Sequence, residues 1–600
     1  MPDGTVFMTG DMVEDAQGAT ATDRYGNKQY IVSLKLTDEG AKIFGEVTSE
    51  NIGKNLPIVY DGETISYPQV QSAITGGEAQ ITGMSSFEEA DNLATQIRIG
   101  SLSLQLSELE SSVVGAQLGS QAIASSLKAG AIGLAIVMVF MIVMYAVPGI
   151  AASLALAIYT TLVIATLYLF DITLTLPGIA GIILGIGMAV DANVIVFARI
   201  REEIATGKSV QTSMKIGFQK AMSAILDGNI TTLIASVVLM ALGSGTVKGF
   251  AYTLMIGIIL SLFTAMVVTR YILYSLYALG LKSEKLYGRA KERKSIDFIG
   301  KKAVFFTISG IIIAAGLISM GVHSATEGKA LNYGLDFMGG TSTTADFGKD
   351  MTIEDIENDI VPYVEEVTGD SDVQATKVEG TTQVTIKTRT LSLDERQKLE
   401  DTLAENCDVD ASTITSQSIS STISGEMRSD ALKAVIVSCI FMLLYIWFRF
   451  KDIRFAASAI LALVHDVLVV ITVYALVRIS VGSTFIACVL TIVGYSINDT
   501  IVIFDRIREN LALKTGKQTA EDLREIANKS LTQTLSRSIN TSITTFIMVV
   551  MLYILGVASI RDFSLPLMAG LVCGAYSSIC IATELWYVMK VHLGKNKATK

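Results

Sequence analysis

Long apolar runs alternate with polar segments along this chain. Ala131–Val147 and Ala151–Phe170 each contain no charged residue. A membrane-spanning helix needs about 20 consecutive, mostly apolar residues. A single run of this kind is also compatible with a buried helix of a soluble protein, but so many in one chain are not. The pattern predicts eleven spans, at residues 129–147, 151–170, 174–198, 224–245, 250–276, 303–322, 431–449, 455–477, 483–505, 535–558 and 563–590.

These spans divide the chain into seven predicted parts. They are a first outer domain at 1–127, a helical bundle at 128–280, a basic linker at 281–302, a single helix at 303–322, a second outer domain at 323–429, a second bundle at 430–592 and a tail at 593–600. Lysine and arginine concentrate in short loops that the spans place on one side, for example at Lys208, Lys285 and Arg454. The positive-inside rule predicts that this side is cytoplasmic and that both domains lie outside.

The two outer segments have the pattern of small α/β domains. In the second, the pattern predicts amphipathic helices at Thr352–Val367 and Leu393–Asn406 and alternating strands at Val373–Lys377 and Thr382–Thr388. The order predicts a βαββαβ, ferredoxin-like sandwich. In the first segment we predict a strand and two helices, at Gln29–Leu36, Thr37–Thr48 and Phe87–Ile97. The predicted fold class is therefore a polytopic α-helical membrane protein with two small extracytoplasmic α/β, ferredoxin-like domains.

An internal repeat indicates two homologous halves. The segment Asp191–Arg201 reads DANVIVFARIR and Asn498–Arg508 reads NDTIVIFDRIR, and placing Phe197 on Phe504 also aligns the arginines. The second half has a span before its outer domain, whereas the first half has none. The repeat therefore predicts a twelfth span, and more of the first outer domain, ahead of Met1.

Composition supports the membrane class and narrows the chemistry. Hydrophobic residues make up 50% of the chain, charged residues 17%, and the formal net charge is −10. The five cysteines and three histidines show no spacing typical of a zinc site or a disulfide framework. We find no Walker loop, no HExxH and no protease-like nucleophile arrangement. The expectation is a protein that is not an enzyme, with no cofactor and no metal site.

Charged side chains inside spans are costly, which makes them functional candidates. Asp191 and Asp499 lie eight and seven residues before Arg199 and Arg506, at equivalent positions of the two repeats. A rise of 1.5 Å per residue puts both carboxylates roughly 10–12 Å inside the cytoplasmic edge. Arg537 reaches a similar depth if the tenth helix begins a turn earlier than its apolar run.

Two carboxylates beside one arginine form a candidate proton-coupling site. The alternative is a set of structural pairs that fix helix register. Supporting polar residues are expected from Asn193, Asn498, Asn229, Asn540 and Asp466. Asp466 follows His465 near the middle of a span, where a proton path and a structural role are both open. Glu584, near a span end, is expected to extend its carboxylate to the membrane surface. The coupling ion is H⁺ or Na⁺.

Four longer segments resemble a known family. They are GIGMAVDANVIVFARIREE at Gly185–Glu203, GYSINDTIVIFDRIREN at Gly494–Asn510, LNYGLDFMGGT at Leu331–Thr341 and ITGGEAQITG at Ile74–Gly83. The first and last resemble SecD, and the other two resemble SecF. The chain is thus identified as a member of the SecD/SecF protein-export family, within the resistance-nodulation-division superfamily. Ala198 is a departure, since family members often carry an acidic residue there.

The resemblance implies a function and partners. The family uses the proton motive force to promote late steps of preprotein export across the bacterial cytoplasmic membrane. Its implied partners are the SecYEG channel, the SecA motor, YajC and YidC, together with unfolded preprotein and the lipid bilayer, and no nucleic acid. The family's proposed coupling residues match Asp191, Asp499 and Arg537. The alternative is a proton-driven efflux pump for small molecules or lipids from the same superfamily, although such pumps usually have larger outer domains.

Overall fold

The computed structural model contains two compact units, Met1–Glu108 and Leu109–Lys600. The residues that the structure describes are 6–22, 26, 28–60, 62–101, 110–113, 116–243, 245–290, 294–326, 328–370, 373–378, 381–407, 409–514, 516 and 518–595. Most of the predicted tail at 593–600 therefore lies outside the described residues. So do Lys291 and Arg293 of the predicted linker.

The first unit is a small α/β domain. Its elements are β1 (Val13–Thr22), β2 (Lys28–Leu36), α1 (Asp38–Glu50), β3 (Ile58–Tyr60), β4 (Glu63–Ser66), β5 (Glu78–Met84) and α2 (Phe87–Gly100). An antiparallel sheet of order β1-β2-β5 buries its apolar face with α2, and β3 pairs with β4. Thr37 and Ser86 cap the two helices by accepting hydrogen bonds from backbone amides. The predicted strand and two helices are confirmed.

The second unit contains the remaining elements. In chain order they are β6 (Glu110–Val113), α3 (Ala116–Tyr145), α4 (Val147–Leu169), α5 (Leu176–Ala189), α6 (Asp191–Ala205), α7 (Val210–Leu242), α8 (Gly245–Phe263), α9 (Thr269–Ala278), α10 (Lys302–Thr326), α11 (Leu335–Met338), β7 (Gly340–Asp346), α12 (Ile353–Asp359), α13 (Val361–Thr368), β8 (Gln374–Lys377), β9 (Gln383–Thr388), α14 (Leu393–Asn406), β10 (Thr415–Ile419), α15 (Ser421–Phe450), α16 (Ile453–Val477), α17 (Ser483–Ala512), α18 (Ala520–Leu555), α19 (Ala558–Ser577) and α20 (Thr583–Lys595).

Among the described residues of this unit, five strands form one sheet of order β6-β10-β7-β9-β8. Without β6, this is the strand order of a ferredoxin-like βαββαβ sandwich, as predicted. The buried side chains of Val384 and Ile386 on β9 pack in the core between sheet and helices. Strand β6 pairs antiparallel with β10. The sequence boundary at residue 127 had put Glu110–Val113 in the first domain, but the pairing places this strand in the sheet of the second.

Within the described residues, eleven helical segments are long and apolar enough to cross a membrane. They are α3, α4, α5 with α6, α7, α8 with α9, α10, α15, α16, α17, α18, and α19 with α20. The eleven predicted spans are confirmed, and the chain is a multi-pass membrane protein. Several helices extend beyond their apolar runs. For example, α15 begins at Ser421, capped by Ser420, ten residues before the predicted span.

Reciprocal contacts relate the two halves by pseudo-two-fold symmetry. Aligning Phe197 with Phe504 also aligns Gly187 of α5 with Gly494 of α17. Gly187 packs against the backbone of Thr545 on α18, and Gly494 packs against Thr232 on α7. A Cβ added to Gly187 would lie 2.9 Å from the Cα of Thr545, and one added to Gly494 would lie 3.2 Å from the Cα of Thr232. Small residues therefore bring the halves into backbone contact on both sides of the axis.

The helices deviate from regular geometry at positions related by this symmetry. π-helical segments occupy Thr264–Val268, between α8 and α9, and Ser578–Ala582, between α19 and α20. Aligning Phe250 with Phe563 places the two segments within one residue of each other. A third irregularity has no counterpart: α5 ends and α6 begins around Val190, whereas α17 is continuous. Asp191 is therefore the first residue of α6.

The basic linker is anchored to the second bundle by an acidic residue. Asp297 accepts hydrogen bonds from Arg524, from Asn528 Nδ2 at 2.8 Å and from the backbone N–H of Gly300 at 3.0 Å. The hydrogen bond from the Arg524 guanidinium is the largest of the effects that lower the pKa of Asp297 to about 2. The linker thus packs against α18 as well as carrying positive charge.

We expect Asp297→Asn to increase hydrogen exchange of residues 296–301 without affecting the bundle. Because the Asp297 side chain is half exposed, the expected loss is only about 0.5 kcal/mol. A carboxyl whose pKa is lower in the folded state than in the unfolded state stabilises the folded state at pH values above its unfolded pKa. For Asp297 this stabilisation is lost as the pH falls toward the folded-state pKa of about 2. Protection, corrected for intrinsic exchange, should therefore be constant from pH 7 to 5 and fall below pH 4 in the unaltered chain only. Equal protection from hydrogen exchange in the variant and the unaltered chain would show that Asp297 does not anchor the linker.

Candidate functional site

The centre of the bundle holds a carboxylate facing an arginine across the two halves. Asp191 Oδ1, at the start of α6, lies 3.8 Å from Arg537 Nη2 on α18. Asn498 Nδ2, on α17, donates a 2.6 Å hydrogen bond to Asp191 Oδ2. Only 8% of the Asp191 side chain and 8% of the Arg537 side chain is exposed. One carboxylate from the first half is thus held by two residues of the second.

The two aspartates do not occupy equivalent positions of the repeat, contrary to the prediction. With Phe197 placed on Phe504, Asp191 aligns with Asn498, and Asp499 aligns with Ala192. The two aspartates are therefore one position apart rather than equivalent. The aligned pair meets at the pseudo-two-fold axis, while Asp499 occupies the next position of α17. Asp499 is buried and interacts electrostatically with both Asp191 and Arg537.

Several polar atoms of this centre are buried without a hydrogen-bond partner among the described residues. They include Asp191 Oδ1, Asn498 Oδ1, Asp499 Oδ2 and Arg537 Nη2. A cavity of about 20 Å³ lies beside Asp191 and Asn498 and is also lined by Asn229, Thr232 and Tyr495. Such a volume holds about one water molecule, and unpaired buried polar groups are where ordered water binds. The centre is therefore equipped to exchange a proton or bind a small hydrated ion.

The supporting residues predicted from sequence fall into three groups. Asn498 and Asn229 line the cavity beside Asp191. Asn540 donates a 2.9 Å hydrogen bond to Tyr145 Oη. Asn193, two residues after Asp191, is buried, and its Nδ2 lies 3.5 Å from the backbone oxygen of Ala189 at the end of α5. Asp466 is not brought to Asp191. Its oxygens accept hydrogen bonds in a separate cluster on α16, α17 and α19.

A ring of ion pairs joins the halves beyond this centre. Arg199 and Arg506 occupy aligned positions at the ends of α6 and α17, as do Glu202 and Glu509. Arg199 donates to Glu509 Oε1 at 2.8 Å and to Glu202 at 3.1 Å. Arg506 in turn contacts Glu202 and lies 3.0 Å from Glu509. Each carboxylate thus bridges both arginines, two helical turns from Asp191 and Asp499.

We expect Glu202→Gln and Glu509→Gln each to cost about 1 kcal/mol, because both carboxylates are partly exposed. The double variant should cost more than the sum, since it removes both carboxylates that bridge the two arginines and leaves Arg199 only its 4.0 Å contact with Asp505. The thermal unfolding midpoint of each purified variant is measured by tryptophan fluorescence. Strictly additive shifts would mean that the four residues form two independent pairs.

Two buried carboxylates were missed or misjudged in the sequence. Asp227 of α7 binds Tyr445 Oη at 2.9 Å and Arg449 Nε at 2.6 Å, both on α15. Asp227 lies near the start of the predicted span 224–245, where the sequence does not distinguish a buried charge from one at the membrane surface. The expectation that Glu584 reaches the membrane surface is wrong, since the residue is fully buried. Its helix is surrounded by the bundle at that depth, which hydropathy alone does not reveal.

Comparison with known proteins identifies the family. Residues 99–278 and 398–592 match the family described as protein export membrane protein SecD/SecF, C-terminal. Residues 3–104 match the SecDF P1 head subdomain. The chain belongs to the SecD/SecF family. Together the two matches cover both helical bundles and the first compact unit.

Full-length relatives and solved structures of the family agree with this. The chain is 35% identical to protein translocase subunit SecDF of Bacillus subtilis, over 97% of this chain and 81% of the relative. It is 36% identical to the SecDF of Thermus thermophilus, over 100% of this chain and 79% of the relative. The crystal structure of Thermus SecDF, a translocon-associated membrane protein, superposes with a TM-score of 0.75 at 36% identity, covering 97% of this chain and 77% of that one. A super-membrane-facing form of SecDF gives 0.63 at 34% identity, covering 99% and 79%.

Proposed function

We propose that this SecD/SecF-family chain is a Sec translocase subunit that uses the proton motive force to promote late-stage export and release of preproteins. The single observation that carries the coupling is the Asp191–Arg537 contact, with Asp499 beside it, at the boundary between the halves. Membership of a family of translocase subunits supports the export role. We propose no hydrolytic activity for the chain.

The proposed mechanism couples protonation to helix packing. When Asp191 or Asp499 gains a proton, it loses its charge and most of its attraction to Arg537. Because α6 belongs to the first half and α17 and α18 to the second, this attraction bears on the packing between halves. A proton taken up from one side and released to the other would then shift the preferred packing once per cycle. The cavity beside Asp191 supports access by water.

The orientation and partners belong to the same proposal. The chain would lie in the bacterial cytoplasmic membrane, with both outer domains outside and the C-terminus in the cytoplasm, as its basic loops favour. Its partners would be the SecYEG channel, the SecA motor, YajC, YidC and the unfolded preprotein. Na⁺ remains the competing coupling ion, because carboxylate and amide oxygens also bind it.

The test is complementation with a chimera. Residues 1–600 would replace the matching segment of Bacillus subtilis SecDF in a strain lacking its own copy, and export of a reporter preprotein would be followed. We expect restored export that stops when the proton gradient is collapsed and persists when only the sodium gradient is collapsed. Restored dye extrusion without restored export would instead support an efflux pump. If export is lost when only the sodium gradient is collapsed, the coupling ion is Na⁺ rather than H⁺.

A further inference from the structure

A histidine, an aspartate and a cysteine converge inside the second bundle, and none of the three lines the cavity beside Asp191. His465 and Asp466 lie on α16, and Cys573 lies on α19. Asp466 Oδ1 is 3.0 Å from His465 Nδ1 and 3.2 Å from Cys573 Sγ, and the sulfur is 3.9 Å from the same ring nitrogen. All three side chains are buried, with Asp466 fully so. Three different metal-ligating atoms therefore face one point.

A second layer of hydrogen bonds orients two of these three side chains. Ser496 and Ser577 donate to the other oxygen of Asp466 at 2.6 and 2.7 Å. The second nitrogen of His465, Nε2, lies 2.9 Å from Ser309 Oγ on α10. Histidine ligands of metals almost always form such a bond through the nitrogen that does not bind the metal. In the tautomer with a proton on Nε2, this nitrogen donates to Ser309 and Nδ1 is free to coordinate.

We propose that His465, Asp466 and Cys573 bind one divalent transition-metal ion of the zinc class. Ligand atoms 3.0–3.9 Å apart can contact one ion at the roughly 2.0–2.3 Å bond lengths of Zn²⁺. Imidazole, carboxylate and thiolate together are a zinc-type donor set, whereas Mg²⁺ and Ca²⁺ take oxygen ligands. Chain spacing conceals this site, because two ligands are adjacent and the third is 107 residues away.

Charge balance favours the ion in this environment. A thiolate and a carboxylate carry two negative charges, which a divalent cation neutralises, and the imidazole is neutral. A charge-neutral cluster avoids most of the cost of burying charge in a span. The ion would crosslink α16 to α19 and, through Ser309, hold α10 against them. Three protein ligands would leave a fourth position for water. The site shares no residue with the centre formed by Asp191, Asp499 and Arg537.

The test measures metal directly in the purified full chain, with affinity tags removed. Elemental analysis after dialysis is expected to give about one zinc per chain. Cys573→Ser and Asp466→Asn should lower the zinc content severalfold or more. Cys580→Ser, which alters a buried cysteine of the same span outside the cluster, should leave it unchanged. Ser309→Ala should weaken zinc binding about 10–100-fold without abolishing it.

Cobalt substitution reports directly whether a thiolate is a ligand of the metal. The unaltered chain and Cys580→Ser should show a thiolate-to-cobalt charge-transfer band, and Cys573→Ser should lack it. An unaltered chain that binds neither zinc nor cobalt would overturn the proposal and leave a purely hydrogen-bonded cluster. Zinc content equal in the unaltered chain and in Cys573→Ser would identify the metal as adventitious and would overturn it as well.

Discussion

Asp499→Asn is expected to abolish gradient-dependent export while the protein still accumulates in the membrane. Asparagine has nearly the same shape as aspartate and keeps hydrogen-bonding capacity, but it cannot bind and release a proton. Asp499 is buried beside Asp191 and Arg537, so the substitution fixes one carboxylate position in the uncharged form. The chimera carrying the variant should export the reporter at the level of the strain without SecDF. Asp191→Asn should have the same effect, since it removes the other carboxylate facing Arg537.

The matched control is Asp452→Asn. This aspartate caps α16 and binds Arg454 and Lys590 outside the centre, so its replacement should leave coupling intact. Proton uptake by the reconstituted chain supplies a second readout, which should be lost in Asp499→Asn and retained in the control. If Asp499→Asn exports as well as the unaltered chimera, the buried carboxylates fix helix register and the coupling proposal fails.

Gly187→Ala is expected to destabilise the bundle by about 1–3 kcal/mol, the usual cost of overpacking. The new Cβ would lie 2.9 Å from the Cα of Thr545, and a backbone atom cannot move aside as a side chain can. The two halves would have to separate locally. Because the Asp191–Arg537 contact lies one turn away and spans the same boundary, export should fall together with stability.

Gly310→Ala is the control for helix propensity. Gly310 lies inside α10, and no heavy atom lies within 4 Å of the position its Cβ would take. Alanine there should leave the thermal midpoint unchanged or raise it, since alanine is favoured over glycine in a helix by up to about 1 kcal/mol. Gly494→Ala, the symmetry-related change, should lower the midpoint as Gly187→Ala does. Equal midpoints for Gly187→Ala and Gly310→Ala would show that the halves are not in close contact.

The sequence was sufficient for the parts of the fold that local pattern determines. Apolar length marked the eleven spans, and alternation at Thr382–Thr388 marked the strand that supplies the core of the second sheet. The predicted helix at Leu393–Asn406 has the bounds of α14, which begins at a capping box formed by Ser392 and Glu395. The candidate site followed from the cost of burying Asp191 and Asp499, which requires no knowledge of what surrounds them.

Features that depend on distant residues were not predictable. The partner of Asp191 within hydrogen-bond distance is Asn498, and only the packed structure shows that the aligned positions meet at the axis. Cys573 reaches Asp466 because α16 and α19 pack together, which no spacing along the chain records. Burial of Glu584 has the same cause. Hydropathy separates membrane from water, but it does not separate the lipid face of a helix from its protein face.

Strand Glu110–Val113 determines how the molecule would bear a mechanical load. It lies two residues before α3, yet it is paired with β10, which runs almost directly into α15 of the other half. Tension on the chain ahead of residue 110 would reach the second half's sheet before it reached the first bundle. The bonds between the strands would share that tension across four paired residues. The order in which the two halves carry force is thus not their order along the polypeptide.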